Sequence, residues 1–136
     1  MVRHKQGFTL IELLAVIAVL GLILTIAIPN ALKIIEKACM ETFRESARGI
    51  IKAVQINYVD RFMDSGDIKD VTFTYQDGIE YSSIPGVKLD YQWAKPKSGT
   101  IKVNSEGGIG LAIYNGVYCA KKEFYSSEIT VSKTSE

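Results

Sequence analysis

The sequence predicts an α+β fold, with one long N-terminal hydrophobic α-helix packed on a C-terminal antiparallel β-sheet. Three observations predict it. Between Phe8 and Ile28 lie 21 residues with a single ionisable group, Glu12. From Asn30 to Met63 apolar side chains recur at steps of three or four, the helical period. Beyond Asp64, β-branched and aromatic runs alternate with Asp-Gly, Gly-Gly and Asn-Gly turn signals. A helix followed only by strands, in a chain of 136 residues, reads as a single α+β domain.

The first element is a short basic leader, MVRHKQG, residues 1–7. The apolar run behind it rises about 1.5 Å per residue, so as a helix it spans about 30 Å, the hydrocarbon thickness of a bilayer. Arg3 and Lys5 precede the run, which places the leader in the cytoplasm and the remainder on the far side. A plain single-pass anchor has these properties. A secretory signal peptide fits less well, because its apolar region normally covers 7–15 residues and AIPNALK makes a poor cleavage site. Neither reading explains Glu12, since a carboxylate inside a bilayer costs about 3 kcal/mol on insertion scales. Such a residue is a functional-site candidate whose partner needs naming. Pro29 cannot donate an amide hydrogen bond and crowds the carbonyl of Thr25, which predicts a kink where the helix leaves the membrane.

The second helical stretch, 30–63, carries a stripe of Leu32, Ile35, Cys39, Phe43, Ala47, Ile50, Val54, Tyr58 and Phe62. This stripe is expected to pack on the sheet, with Glu41, Arg44, Glu45 and Arg48 on a solvated face. Asp64-Ser65-Gly66-Asp67 ends the helix. Strands are expected between 68 and 132, at 71–75, 79–81, 87–93, 100–104, 109–114, 117–120 and 129–131. Asp77-Gly78 is the strongest hairpin signal among their connections. A sheet of this size makes a thin core by itself, so the helix has to supply its missing face.

The string Gly7-Phe8-Thr9-Leu10-Ile11-Glu12, behind a basic leader and ahead of a membrane-length apolar run, resembles the class III signal of type IV prepilins and type II secretion pseudopilins. The resemblance covers about the first 30 residues strongly, through Pro29, and the helix-then-strands plan loosely. It implies that a prepilin peptidase cuts between Gly7 and Phe8 and that the new Phe8 amine is N-methylated. Glycine suits the cut, because without a Cβ the backbone can enter a tight cleft. The resemblance further implies that Glu12, Phe8, Thr9, Leu10 and Pro29 serve assembly, with Glu12 meeting the Phe8 amine of a neighbouring subunit. The chain would wait as a single-pass cytoplasmic-membrane protein. An assembly platform with an ATPase motor would then draw it into a homo-oligomeric helical filament on the cell surface. The expected function is a structural subunit of a type IV pilus, supporting adhesion, twitching motility or related surface functions. A pseudopilin of type II secretion or DNA uptake, and a minor pilin or adhesin, are the alternatives.

Cys39 and Cys119 stand 80 positions apart, matching no zinc or redox spacing. A disulfide between them and a pair of buried free thiols both remain open; an inward-facing Cys119 would favour the bond. Many type IV pilins close a loop with two C-terminal cysteines, a pair this chain lacks. No enzyme, cofactor or metal is expected. The one histidine, His4, sits in the leader, and Asp64, Asp67 and Asp70 do not have the alternation of a calcium loop. Loss of Arg3 and Lys5 would leave 14 basic against 15 acidic side chains, so no specific nucleic acid is expected either. Two residue sets stay unassigned: Trp93 with the seven tyrosines, expected to pack in core and strands, and the lysines 95, 97, 102, 121 and 122.

Overall fold

The computed structural model describes residues 7–66 and 69–134; leader residues 1–6, including His4, and Asp67 lie outside the described residues. The elements follow the order α1 (Leu10–Ser65), β1 (Val71–Gln76), β2 (Ile79–Ser82), β3 (Ser98–Val103), β4 (Ile109–Tyr114), β5 (Tyr118–Lys122) and β6 (Thr130–Lys133). The strands form one antiparallel sheet in the order β2-β1-β3-β4-β5-β6. The chain divides into two compact units, Met1–Ala38 and Cys39–Glu136.

In the first unit α1 is exposed at every described position. Helical structure continues through Pro29 without a break, because one missing amide donor leaves the neighbouring i→i−4 bonds in place. One turn earlier, the Thr25 hydroxyl donates to the Gly21 carbonyl at 2.8 Å.

The second unit is built on the last half of α1. Phe43, Ala47, Ile50, Ile51 and Val54 are buried there, against inward residues from five strands. Register puts those strand residues on one face: Val71 opposes Val103, Phe73 opposes Ile101, Ile101 opposes Leu111, and Ala120 opposes both Ile113 and Val131. Full burial of such a side chain stabilises by about 1.5–3 kcal/mol, so this layer dominates the energetics of the unit. The exposed pairs Arg44–Glu41 and Arg48–Glu45, both i,i+3, add only a few tenths of a kcal/mol each. Gly49 sits in this helix face for a steric reason: a Cβ there would overlap the indole of Trp93. At the β1–β2 hairpin Asp77 and Gly78 both have positive φ, 50° and 78°, as a type I′ turn requires.

Two expectations are corrected. Residues 87–93 are not a strand. Their alternation is real, with Leu89 buried and Tyr91 half-buried, but the segment lays these side chains on the core and pairs with neither open edge of the sheet, β2 or β6. The segment is instead a strap held by side chains. The Leu89 amide donates to Glu80 Oε1 at 2.8 Å, and the Tyr91 hydroxyl donates to the Tyr75 hydroxyl at 2.9 Å. The helix stripe is also shorter than expected: Leu32, Ile35, Cys39 and Phe62 are exposed, because burial of apolar side chains on α1 is confined to the stretch from Met40 to Tyr58.

Both cysteines are free thiols. Cys39 is exposed, and Cys119 alternates with the buried Tyr118 and Ala120, so it points to the face opposite the core, 3.3 Å from the Thr134 hydroxyl. The outward position removes the condition under which the two would bond, and neither thiol is buried.

The strap closes over a half-buried hydroxyl relay in which Tyr91 donates to Tyr75 and Tyr75 donates to Glu80 Oε2 at 3.0 Å. Burial pushes both phenols up, Tyr75 well above the usual tyrosine range. A group whose folded pKa exceeds its unfolded value, here about 10, contributes stability that is intact below that pH and lost as pH climbs through the folded value. We expect Tyr75 to ionise only as the sheet unfolds, seen as a lagging tyrosinate absorbance that tracks the loss of circular dichroism. Complete ionisation near pH 10 (about the free phenol value) with the sheet intact would contradict the relay.

Candidate functional site

The candidate site is the start of α1, where the residue singled out by its misplaced charge meets the helix end. Gly7, Phe8 and Thr9 precede the helix, and Leu10 opens it. A helix start leaves four amide donors without an intrahelical acceptor. Here two are dealt with reciprocally: the Thr9 amide donates to Glu12 Oε2 at 2.8 Å, and the Glu12 amide donates to Thr9 Oγ1 at 3.3 Å. This is a capping box, with Thr9 as N-cap and Glu12 three residues on. The first intrahelical bond follows, from the Leu13 amide to the Thr9 carbonyl at 3.2 Å. A carboxylate in the first turn also faces the positive end of the helix dipole.

The arrangement decides what Glu12 can do. A carboxylate offers about four acceptor sites. The cap uses one oxygen, and among the described residues no cation forms an ion pair with the other. The side chain leans back along the helix, as helical geometry directs, so both oxygens sit at the N-terminal end. The carboxylate is thus positioned beside the chain at Phe8 and keeps capacity for a cationic partner.

Of the residues singled out in the sequence, the structure brings together Thr9 and Glu12. Gly7, Phe8, Leu10 and Pro29 are all exposed along the same N-terminal segment, while Cys39 and Cys119 do not meet. Asp70 is occupied locally, with its Oδ1 accepting the Ser105 amide at 2.8 Å. Among the described residues no group of three or more His, Cys, Asp or Glu side chains is placed to hold a metal. The capping role of Thr9 was available in the sequence, since Thr-x-x-Glu ahead of an apolar run is its signature.

These features define an α+β protein whose N-terminal helix is long and apolar enough to cross a membrane and begins with a capped carboxylate. Residues 2–28 match the family model described as the prokaryotic N-terminal methylation motif, the signal of type IV pilins and pseudopilins. The match supports a type IV pilin-like or pseudopilin protein, a structural rather than enzymatic family, and implies processing by a prepilin peptidase. No curated protein and no solved structure matches the chain.

Replacing an N-cap threonine by alanine costs about 0.5–2 kcal/mol. Thr9→Ala in the full chain should therefore speed exchange of the Glu12 amide by about 2- to 30-fold in detergent micelles. The thermal midpoint of the sheet should stay unchanged. Unaltered exchange at Glu12 would mean that the capping box does not hold the first turn.

Proposed function

We propose that this chain is the structural subunit of a type IV pilus filament, stored in the membrane and polymerised through α1. The observation that carries the reading is Glu12. It is a costly carboxylate in an otherwise uncharged membrane-length helix, four residues beyond Phe8 and inside the matched methylation motif.

In this reading residues 1–7 are a leader removed by cleavage after Gly7, 8–29 form the filament-core half of the helix, and 30–136 form the head. Cleavage frees the Phe8 amine, whose reference pKa of about 7.7–8 leaves it largely cationic at neutral pH. N-methylation retains an amine able to carry that charge. Glu12 keeps one oxygen on its own Thr9 amide and offers the other to the Phe8 amine of a neighbouring subunit. The internal bond lowers the penalty of holding the carboxylate in lipid while no neighbour is present. A buried ion pair adds little net stability, yet losing one partner costs about 3–5 kcal/mol. The pair therefore sets the register of one helix on the next.

Cohesion comes from the apolar face. Leu10, Ile11, Leu14, Ile17, Leu20, Leu24 and their neighbours are exposed along α1, and in a filament other copies cover them. Lipid covers them beforehand, so the net gain on assembly is modest, and an ATP-driven platform supplies the extraction work.

Tandem mass spectrometry of filaments sheared from cells should find N-methylated Phe8 as the first residue, abundant in the sheared fraction. Glu12→Val should be inserted and cleaved but give few filaments. Processed protein confined to the membrane would move the assignment to a pseudopilin or rare minor subunit. Chain still carrying residues 1–7 in cells with an active prepilin peptidase would defeat the proposal, and normal filament yield from Glu12→Val would defeat the pairing.

A further inference from the structure

The β4–β5 turn carries a chemistry that neither packing nor assembly uses. An asparagine followed by glycine sets an electrophile, its carboxamide carbon, beside a backbone nitrogen that no Cβ crowds. The chain has four asparagines, Asn30, Asn57, Asn104 and Asn115, and only Asn115 precedes a glycine. Ring closure onto the carboxamide has two structural conditions. The following amide must be free of a fixed acceptor, and the side chain must fold toward it.

The fold decides the first condition residue by residue. Asn30 and Asn57 lie inside α1, so the amide after each is committed to the helix ladder. The Ser105 amide, next to Asn104, donates to Asp70 Oδ1 at 2.8 Å. At the β1–β2 turn the Gly78 amide, behind Asp77, donates to the Lys97 carbonyl at 3.0 Å. Among the described residues the Gly116 amide donates to no acceptor.

The Asn115 side chain meets the second condition. Its Oδ1 accepts the Val117 amide at 2.9 Å and the Tyr118 amide at 2.8 Å. Reaching forward to those donors folds the carboxamide toward the Gly116 nitrogen that precedes them. The same two N–H groups polarise the carbonyl and face the charge that builds on its oxygen under attack, as an oxyanion hole does. Asn115 is exposed to water, and among the described residues its Nδ2 donates to nothing.

We propose that Asn115 is a spontaneous modification site, at which the folded turn converts the side-chain amide to a carboxylate. The Gly116 nitrogen bonds to Asn115 Cγ, its proton passes through water to Nδ2, and Nδ2 leaves as ammonia. One water then opens the cyclic imide. Breaking the bond from Cγ to nitrogen leaves aspartate; breaking the bond from the main-chain carbonyl carbon leaves the β-linked isomer, with one extra backbone carbon. Aspartate suits the turn, because its carboxylate accepts the same two amides more strongly. Lys97 also lies alongside, its Cδ 3.9 Å from where a Cβ on Gly116 would stand, so the new charge has a cation within reach.

The test incubates full-length protein in detergent, at mildly alkaline pH in heavy-oxygen water, and follows its peptides by mass spectrometry. The peptide containing Asn115 should gain the mass of an amide-to-acid change plus one heavy oxygen. It should do so at least about tenfold faster than the peptide containing Asn104, the factor expected where an amide must first leave a hydrogen bond. Asn115→Asp should keep the thermal midpoint of the sheet and match the aspartate product in ion-exchange retention. Equal conversion at Asn104 and Asn115, or conversion at Asn115 only once urea has unfolded the chain, would each overturn the proposal. A lowered midpoint in Asn115→Asp would overturn the fit of the carboxylate to the turn. The readout is the mass at one residue of unassembled protein, so a failure to find filaments or methylated Phe8 would leave it unaltered.

Discussion

The second unit depends on the contact between one face of α1, Phe43 to Val54, and the inner face of the sheet. Six short strands cannot close on themselves, and a single sheet has no interior. With Ala47 and Ala120 at zero exposure and Ile50, Val54, Phe73 and Ile101 within a percent of it, the layer between helix and sheet is fully dry. Small residues sit where backbone and ring approach closely, as at Ala47 on the helix and at Gly49 beneath Trp93. The strap from Ser83 to Lys97 follows from the same requirement. It lays Leu89 and Tyr91 on core left over by the helix and fastens them through Glu80 and Tyr75.

A single helix therefore carries two surface patterns. Its second half is amphipathic, with Glu41, Glu45 and Arg48 on the water side and a dry stripe toward the sheet. Its first half is apolar all round, the pattern of a segment meant for lipid or for other helices. The capping box at Thr9 and Glu12 belongs to the second of these environments. In water a frayed first turn costs little, because solvent satisfies the free amides. In lipid those amides have no such partner, so an internal acceptor gains importance and also moderates the penalty of the carboxylate.

The two halves of the protein also differ in how their chemistry is placed. The capping box sits in a linear stretch, Thr9 to Glu12, whose geometry is that of one helix turn. The contacts of the strap are assembled from β1, β2 and the segment between β2 and β3, positions up to 16 residues apart in the chain. Sites of the first kind leave a trace in the sequence as a motif. Sites of the second kind leave only composition, such as scattered aromatics.

The sequence by itself determined the α+β order, the capped apolar helix, the Asp77-Gly78 hairpin and most strands. Each is a matter of local periodicity or turn chemistry, and Thr9, Glu12, Asp77 and Gly78 act on neighbours within three or four positions. Only the tertiary structure decided the rest. Residues 87–93 alternate as a strand would, yet they join neither edge of the sheet, and the same alternation became a strap held by side chains on the core. Cys119 faces away from the core because its register partner Tyr114 does, which local pattern could not reveal. Where the sheet ends along α1 likewise set which stripe residues were buried, leaving Cys39 and Phe62 exposed at either end. Periodicity specifies that a residue has an inward or outward side; what lies on that side is a property of the assembled chain.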